Sequence, residues 1–170
     1  MQIIQFALLL VFPALVVIAA LKDVTSFTIP NWISLALIVA FVPAALLSGA
    51  SLAAIGLCLA IGVGALLVGM GMFAANWIGG GDAKLFAAAA LWLGWPAAFS
   101  FMLATGLAGG ALTLGLLSLR SGWFAPIVAG GPAWVRKLGA EGGDIPYGVA
   151  IAVGALATFP QGALAVAIGA

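Results

Sequence analysis

The stretch Ile78-Gly79-Gly80-Gly81-Asp82-Ala83-Lys84-Leu85 sets a carboxylate directly behind three glycines, in a chain otherwise almost without charge. A bare Asp near the hydrocarbon core of a bilayer costs roughly 2.5–3.5 kcal/mol on insertion scales, so an ionisable group kept there marks a functional candidate. Glycine has no Cβ, and the backbone of Gly79 to Gly81 can therefore take positive φ or lie close against another segment. The Gly-Lys-Ser/Thr ending of a phosphate-binding loop is missing, which leaves close backbone approach as the reading of the triplet.

The rest of the chain decides that a bilayer is the relevant solvent. Of 170 residues, 66% are hydrophobic and only 5% charged, and the mean hydropathy is +1.35; a soluble domain carries roughly 25% charged residues. The fold class that follows is all-α, a polytopic helical membrane bundle read as a single unit over residues 1–170. A net charge of +1 without a Lys/Arg run offers nothing to nucleic acid. There is no His, and the one cysteine, Cys58, lies in an apolar run. Disulfides, Cys/His metal sites and His-activated nucleophiles are thereby excluded. Polar chemistry must come from Asp23, Asp82, Glu141 and Asp144, from five basic residues, or from hydroxyls.

Outward from the glycine stretch, about six spans are expected. Ile3 to Leu21 is close to the ~20 apolar residues that cross ~30 Å of hydrocarbon. It lacks the basic start and small-residue cleavage site of a signal peptide and is expected to be retained. Lys22 to Pro30 forms a polar break, with Pro30 and Asn31 shaping the turn into a second span, Asn31 to Ser48. A third runs from Leu52 to about Ala74 and is rich in glycine, suited to close helix contact. Ala83 to Leu93 is too short to cross, at ~1.5 Å per residue; either this helix does not span, or its N-terminal end lies below the membrane surface, which would put Asp82 at the bottom of a hydrated recess. Ala97 to Leu119 is a fifth span with Gly106-x-x-x-Gly110 as its packing motif. Between Arg120 and Asp144, Pro132 to Glu141 predicts an interfacial helix with Trp134, Val135 and Leu138 toward lipid. Ile145 to Ala170 is the last span.

All nine charged residues fall in the breaks after the first, third and fifth spans. Short basic loops stay in the cytoplasm, so Asp23 and Asp82 are expected on the cytoplasmic side, with both termini opposite. Lys84 is two residues from Asp82, off its helix face, and reads as an orienting charge. Asp144 and Glu141 share that side too, so topology alone does not choose a pair. Two carboxylates brought together hold one proton between them and titrate as a unit. Such a pair can activate water and polarise a peptide carbonyl with no metal and no cofactor.

Asp23-Val-Thr-Ser-Phe-Thr-Ile29-Pro30-Asn31 resembles the first conserved block of the bacterial type IV prepilin peptidases. Gly79-Gly80-Gly81-Asp82-Ala83-Lys84-Leu85 resembles their Gly-x-Gly-Asp block, and Ile145-Pro146-Tyr147-Gly148 is similar to their Pro-Tyr-Gly segment. The resemblance implies that Asp23 and Asp82 are the catalytic aspartates of a membrane aspartic endopeptidase, with Gly79, Gly81, Lys84, Pro30 and Asn31 supporting the site. It implies an inner-membrane enzyme of bacteria whose partner is a prepilin precursor, with a basic cytoplasmic leader and an apolar mature start. The cysteine-bearing N-methyltransferase portion of the long members has no counterpart here, so the expectation is the short, peptidase-only form serving Flp-type pili. A non-enzymatic membrane subunit or small transporter, with Asp82 binding a proton or cation, is the rival reading. Another Gly-x-Gly-Asp protease, such as a preflagellin-type enzyme, is the nearer alternative.

Overall fold

The computed structural model describes residues 2–140 and 142–169, and among them there are helices and turns but no strand. The long elements are α1 (Gln2–Ser26), α2 (Asn31–Leu47), α3 (Leu52–Ala74), α4 (Gly80–Leu93) and α5 (Ala97–Arg120). Two short helices follow, α6 (Ala125–Gly130) and α7 (Ala133–Leu138), and then α8 (Tyr147–Thr158) and α9 (Ala163–Ile168). Four segments are long and apolar enough to cross a membrane: Ile3–Ser26, Leu52–Ala74, Ala97–Arg120 and Tyr147–Ile168. Helix α2, with 17 residues, is shorter, and α4, with 14, reaches only about 21 Å.

Helix α4 is the centre of the bundle. It packs on α3, α2, α8, α5 and α1, and its residues 87–93 are all buried. Close approach to α3 depends on two glycines. A Cβ at Gly62 would meet Leu91 Cβ at 2.9 Å, and one at Gly69 would meet Ala83 Cβ at 3.0 Å. Such small-residue contacts are how helices associate where lipid removes the hydrophobic drive. At the far end of α4 the Trp92 indole N–H donates to the Leu37 carbonyl of α2 at 2.9 Å, and its ring meets Phe12 and Phe41. Cys58 is buried beside Gly94, packed between helices.

Several boundaries depart from the hydropathy reading. Helix α1 continues past Leu21 to Ser26, because the Thr25 and Ser26 hydroxyls donate to the carbonyls of Leu21 and Lys22 at 2.7 and 2.6 Å and carry the helix beyond the apolar run. Asp23 therefore sits on the last turns of a helix rather than in a loop. The final segment is interrupted by a 3₁₀ turn, Phe159–Gln161, between α8 and α9, where Pro160 has no N–H to continue the helix. Gly106 and Gly110 face open space, and α5 meets α8 one register away, through Gly109 against Tyr147 and Thr105 against Gly154. The predicted interfacial helix is confined to Ala133–Leu138, with Leu138 buried in the protein rather than toward lipid. Glu141 lies outside the described residues.

Candidate active site

Helix α1 ends where its chain turns sharply. The Phe27 N–H donates to the Asp23 carbonyl at 2.7 Å, and Phe27 has φ of 55°, a left-handed conformation uncommon for a bulky side chain and concentrated at functional sites. The turn sends 28–29 back across the bundle end before Pro30 caps α2 in an extended conformation. Gly79 caps α4, so Asp82 is the third residue of that helix rather than its N-cap. A carboxylate in the first turn is favoured by the helix dipole.

These two turns face each other. Asp23 and residues 27–29 on one side, and residues 79–82 on the other, enclose a pocket of about 260 Å³. The glycines permit it: a Cβ at Gly81 would lie 3.1 Å from Ile29 Cβ, and one at Gly79 would lie 2.8 Å from Asp82 Oδ2. Asp23 is only 6% exposed, and the Gly148 N–H at the start of α8 donates to its Oδ2 at 2.7 Å. Gly148 must be glycine for that approach, since a Cβ there would stand 2.8 Å from the same oxygen and 3.0 Å from Asp23 Cβ. Across the pocket, Asp82 Oδ1 is buried and has no hydrogen-bond partner among the described residues.

Helix α4 is not one of the four spans, and its Asp82 carboxyl is pushed up to about 7, first by burial and then by the neighbouring Asp23 charge, with the Gly79 backbone amide acting the other way. Desolvation and like charge both disfavour the ionised form. Two carboxyl groups in one pocket, one of them inclined to keep a proton near neutral pH, form a unit able to accept and donate protons.

The other expected site residues divide. Gly79, Gly81, Asp23 and Asp82 line the pocket. Lys84 and Asn31 do not; the Lys84 ammonium donates to Asn31 Oδ1 at 2.9 Å outside it, joining the starts of α4 and α2. Pro30 shapes the turn without lining the pocket. Asp144 is exposed and also outside the pocket, and its carbonyl accepts from Arg120 at 2.9 Å. The Tyr147 ring packs on Gly109. Sequence reasoning missed two features. One is the Gly148 amide, whose sequence signals are its place in the Pro-Tyr-Gly block and a glycine just inside a helix start. The other is Phe27, over whose ring the Lys137 ammonium sits at 4.3 Å, bringing α7 to the pocket's edge.

No curated protein and no solved structure matches the chain. The model of the type IV leader peptidase family, Peptidase_A24, matches residues 10–114, more than half of the 170 residues. The match includes both pocket aspartates and the glycines before Asp82. With two of the three resemblance blocks inside that match and the third supplying the amide that holds Asp23, this chain belongs to the type IV leader peptidase family.

Proposed function

We propose that the protein is an aspartic endopeptidase that removes the leader of prepilin-like precursors at the cytoplasmic face of a bacterial inner membrane, with Asp23 and Asp82 as its catalytic pair. The observation that carries this reading is the shared pocket: two carboxylates from segments 59 residues apart, one held by an amide and one with a buried oxygen. In the mechanism, a water held between the carboxyl groups loses a proton to Asp23 as its oxygen attacks the scissile carbonyl. Asp82 holds the shared proton and donates a hydrogen bond to that carbonyl oxygen as negative charge develops. Collapse of the tetrahedral species breaks the C–N bond, and the proton on Asp23 passes to the leaving amine. No metal or side-chain nucleophile is required.

The topology supports the place of cleavage. The breaks that carry the charged residues converge at one end of the bundle around the pocket, and the positive-inside rule assigns that end to the cytoplasm. The prepilin substrate, the peptidase-only form and the side of the termini rest on the resemblance and on this charge distribution. The test is direct. Purified protein incubated in detergent with a small pilin precursor yields a shortened product whose new N-terminus begins an apolar helix. Asp23→Asn and Asp82→Asn insert and fold but leave the precursor intact. Normal processing by either variant ends the assignment, and intact precursor with the unmodified protein favours a non-enzymatic subunit or transporter.

A further inference from the structure

A second concavity lies on the other side of α4 from the aspartates. It is an open groove of about 600 Å³ bounded by α2, α3 and α4. Its α4 wall is formed by Lys84, Ala87, Ala88 and Leu91; at about 100° per residue these fall within about 60° of the direction opposite Asp82. The groove therefore does not lead to the carboxylates, and a peptide lying in it would have the body of α4 between itself and the pocket. Its outer edges, including Leu35, Ile38, Leu59 and Val63, are exposed apolar side chains, so the cleft opens sideways to hydrocarbon. From Lys84 to Leu91 it runs about 10 Å, two thirds of the roughly 15 Å depth of one hydrocarbon leaflet.

Only one end of the groove is polar. Lys84 and Asn31 meet there, with Trp32 exposed beside them. An ammonium has three donors, and among the described residues Lys84 uses one, toward Asn31. Helix α2 begins at this point, and the dipole at its start favours an anion. An exposed Trp at the level of a lone cation is the side-chain pair found at headgroup depth.

We propose that this groove is a binding site for an anionic phospholipid, with one acyl chain along the α2–α3–α4 cleft and the headgroup phosphate against Lys84 and Asn31. The site is independent of the peptidase reading. The charge of the occupant complements Lys84, the one cation at the mouth among the described residues, and its apolar chain matches a cleft open to the bilayer. The phosphate would reach the same Lys84–Asn31 pair that ties the start of α4 to α2.

The experiment uses the full chain, delipidated in detergent and mixed with equal amounts of phosphatidylglycerol and phosphatidylcholine of the same acyl composition, with retained lipid read by native mass spectrometry. The expected result is a preference of about fivefold for phosphatidylglycerol, the effect of one basic residue on one anionic headgroup. Lys84→Gln removes that preference, and Val63→Trp, which occupies the cleft from an exposed position, lowers retention of both lipids. Equal retention by the unmodified protein, or an undiminished preference in Lys84→Gln, overturns the proposal. A photo-crosslinker at Val63 in native membranes is expected to capture lipid. Capture of the precursor helix or of a second copy of this chain overturns it as well.

Discussion

The two ends of α4 are built on opposite terms. At the far end Trp92 and Leu93 are fully buried, the indole N–H is paired, and Phe12 and Phe41 pack on its ring. At the near end, two turns of chain enclose a pocket, a carboxylate oxygen has no hydrogen-bond partner among the described residues, and Phe27 holds a left-handed backbone. A bulky residue held in a left-handed backbone, as at Phe27, costs on the order of 1–3 kcal/mol. The far end supplies the packing that holds the near end in that unfavourable state. Stability and chemistry are thus separated along one helix of 14 residues.

The separation can be broken by experiment. The largest effect is expected from Asp23→Asn or Asp82→Asn, each lowering processing by at least about a thousandfold, since removing one member of an acid–base pair disables the other. The measurement is the initial rate of precursor cleavage, with insertion checked by membrane extraction. Next, Gly148→Ala places a methyl 2.8 Å from Asp23 Oδ2 and is expected to cost about a hundredfold by displacing that carboxylate, a 1 Å misplacement being enough. Wild-type-like rates in Gly148→Ala would show that the amide at the start of α8 does not position Asp23.

Acidity gives a smaller effect and sharpens the contrast. Because Asp82 holds the proton in the proposed mechanism, cleavage should fall about fivefold between pH 7 and pH 8, as the group at about 7 loses it. The stability of the fold should move the same way. Asp82 is raised from the usual 3.8 to about 7, so the folded protein binds more protons than the unfolded chain within that window. Its stability then declines as pH rises from about 4 to 7 and stays lowered above. Asp82→Asn is therefore expected to melt above the unmodified protein at pH 8 even as it loses activity, with the gap closing by about pH 4. Melts in detergent that show no such pH-dependent gap would remove burial of Asp82 as the cause.

At the far end, Trp92→Phe removes the hydrogen bond to Leu37 and part of the ring packing. It is expected to lower stability by about 1–2 kcal/mol while leaving the cleavage rate per folded molecule within about twofold. A thermal melt paired with active-site-normalised kinetics checks both halves. A rate loss matching that of Gly148→Ala would show that the two ends are not separable.

How much of this was legible in the chain differs by element. Spans such as Leu52–Ala74 appear with their predicted bounds, because the hydrophobic pattern measures directly which residues a bilayer accepts. Helix ends were less legible. Thr25 and Ser26 are polar by composition yet extend α1 by satisfying their own carbonyls, an outcome hydropathy does not measure. The glycine rule held on the third span, where Gly62 and Gly69 carry the α3–α4 contact, and missed on the fifth, where a Cβ at Gly106 or Gly110 would meet nothing within 4 Å among the described residues. Which face a small residue presents depends on the neighbour that arrives. Asp82 stood out by itself, while Asp23 could be separated from Asp144 only by its resemblance block.

By itself the sequence determined that the protein is a helical membrane bundle with its charges gathered at one set of breaks, and that Asp82 carries an unusual cost. Both follow from local composition, since lipid solvates each segment according to its own side chains. Only the tertiary structure decided that Asp23 meets Asp82 in one pocket, that Gly148, 125 residues away from Asp23, donates to it, and that Lys84 pairs with Asn31 of α2. Those facts depend on how helices distant along the chain dock, and docking is fixed by shape at contacts such as Gly81 on Ile29, which no stretch of residues specifies alone.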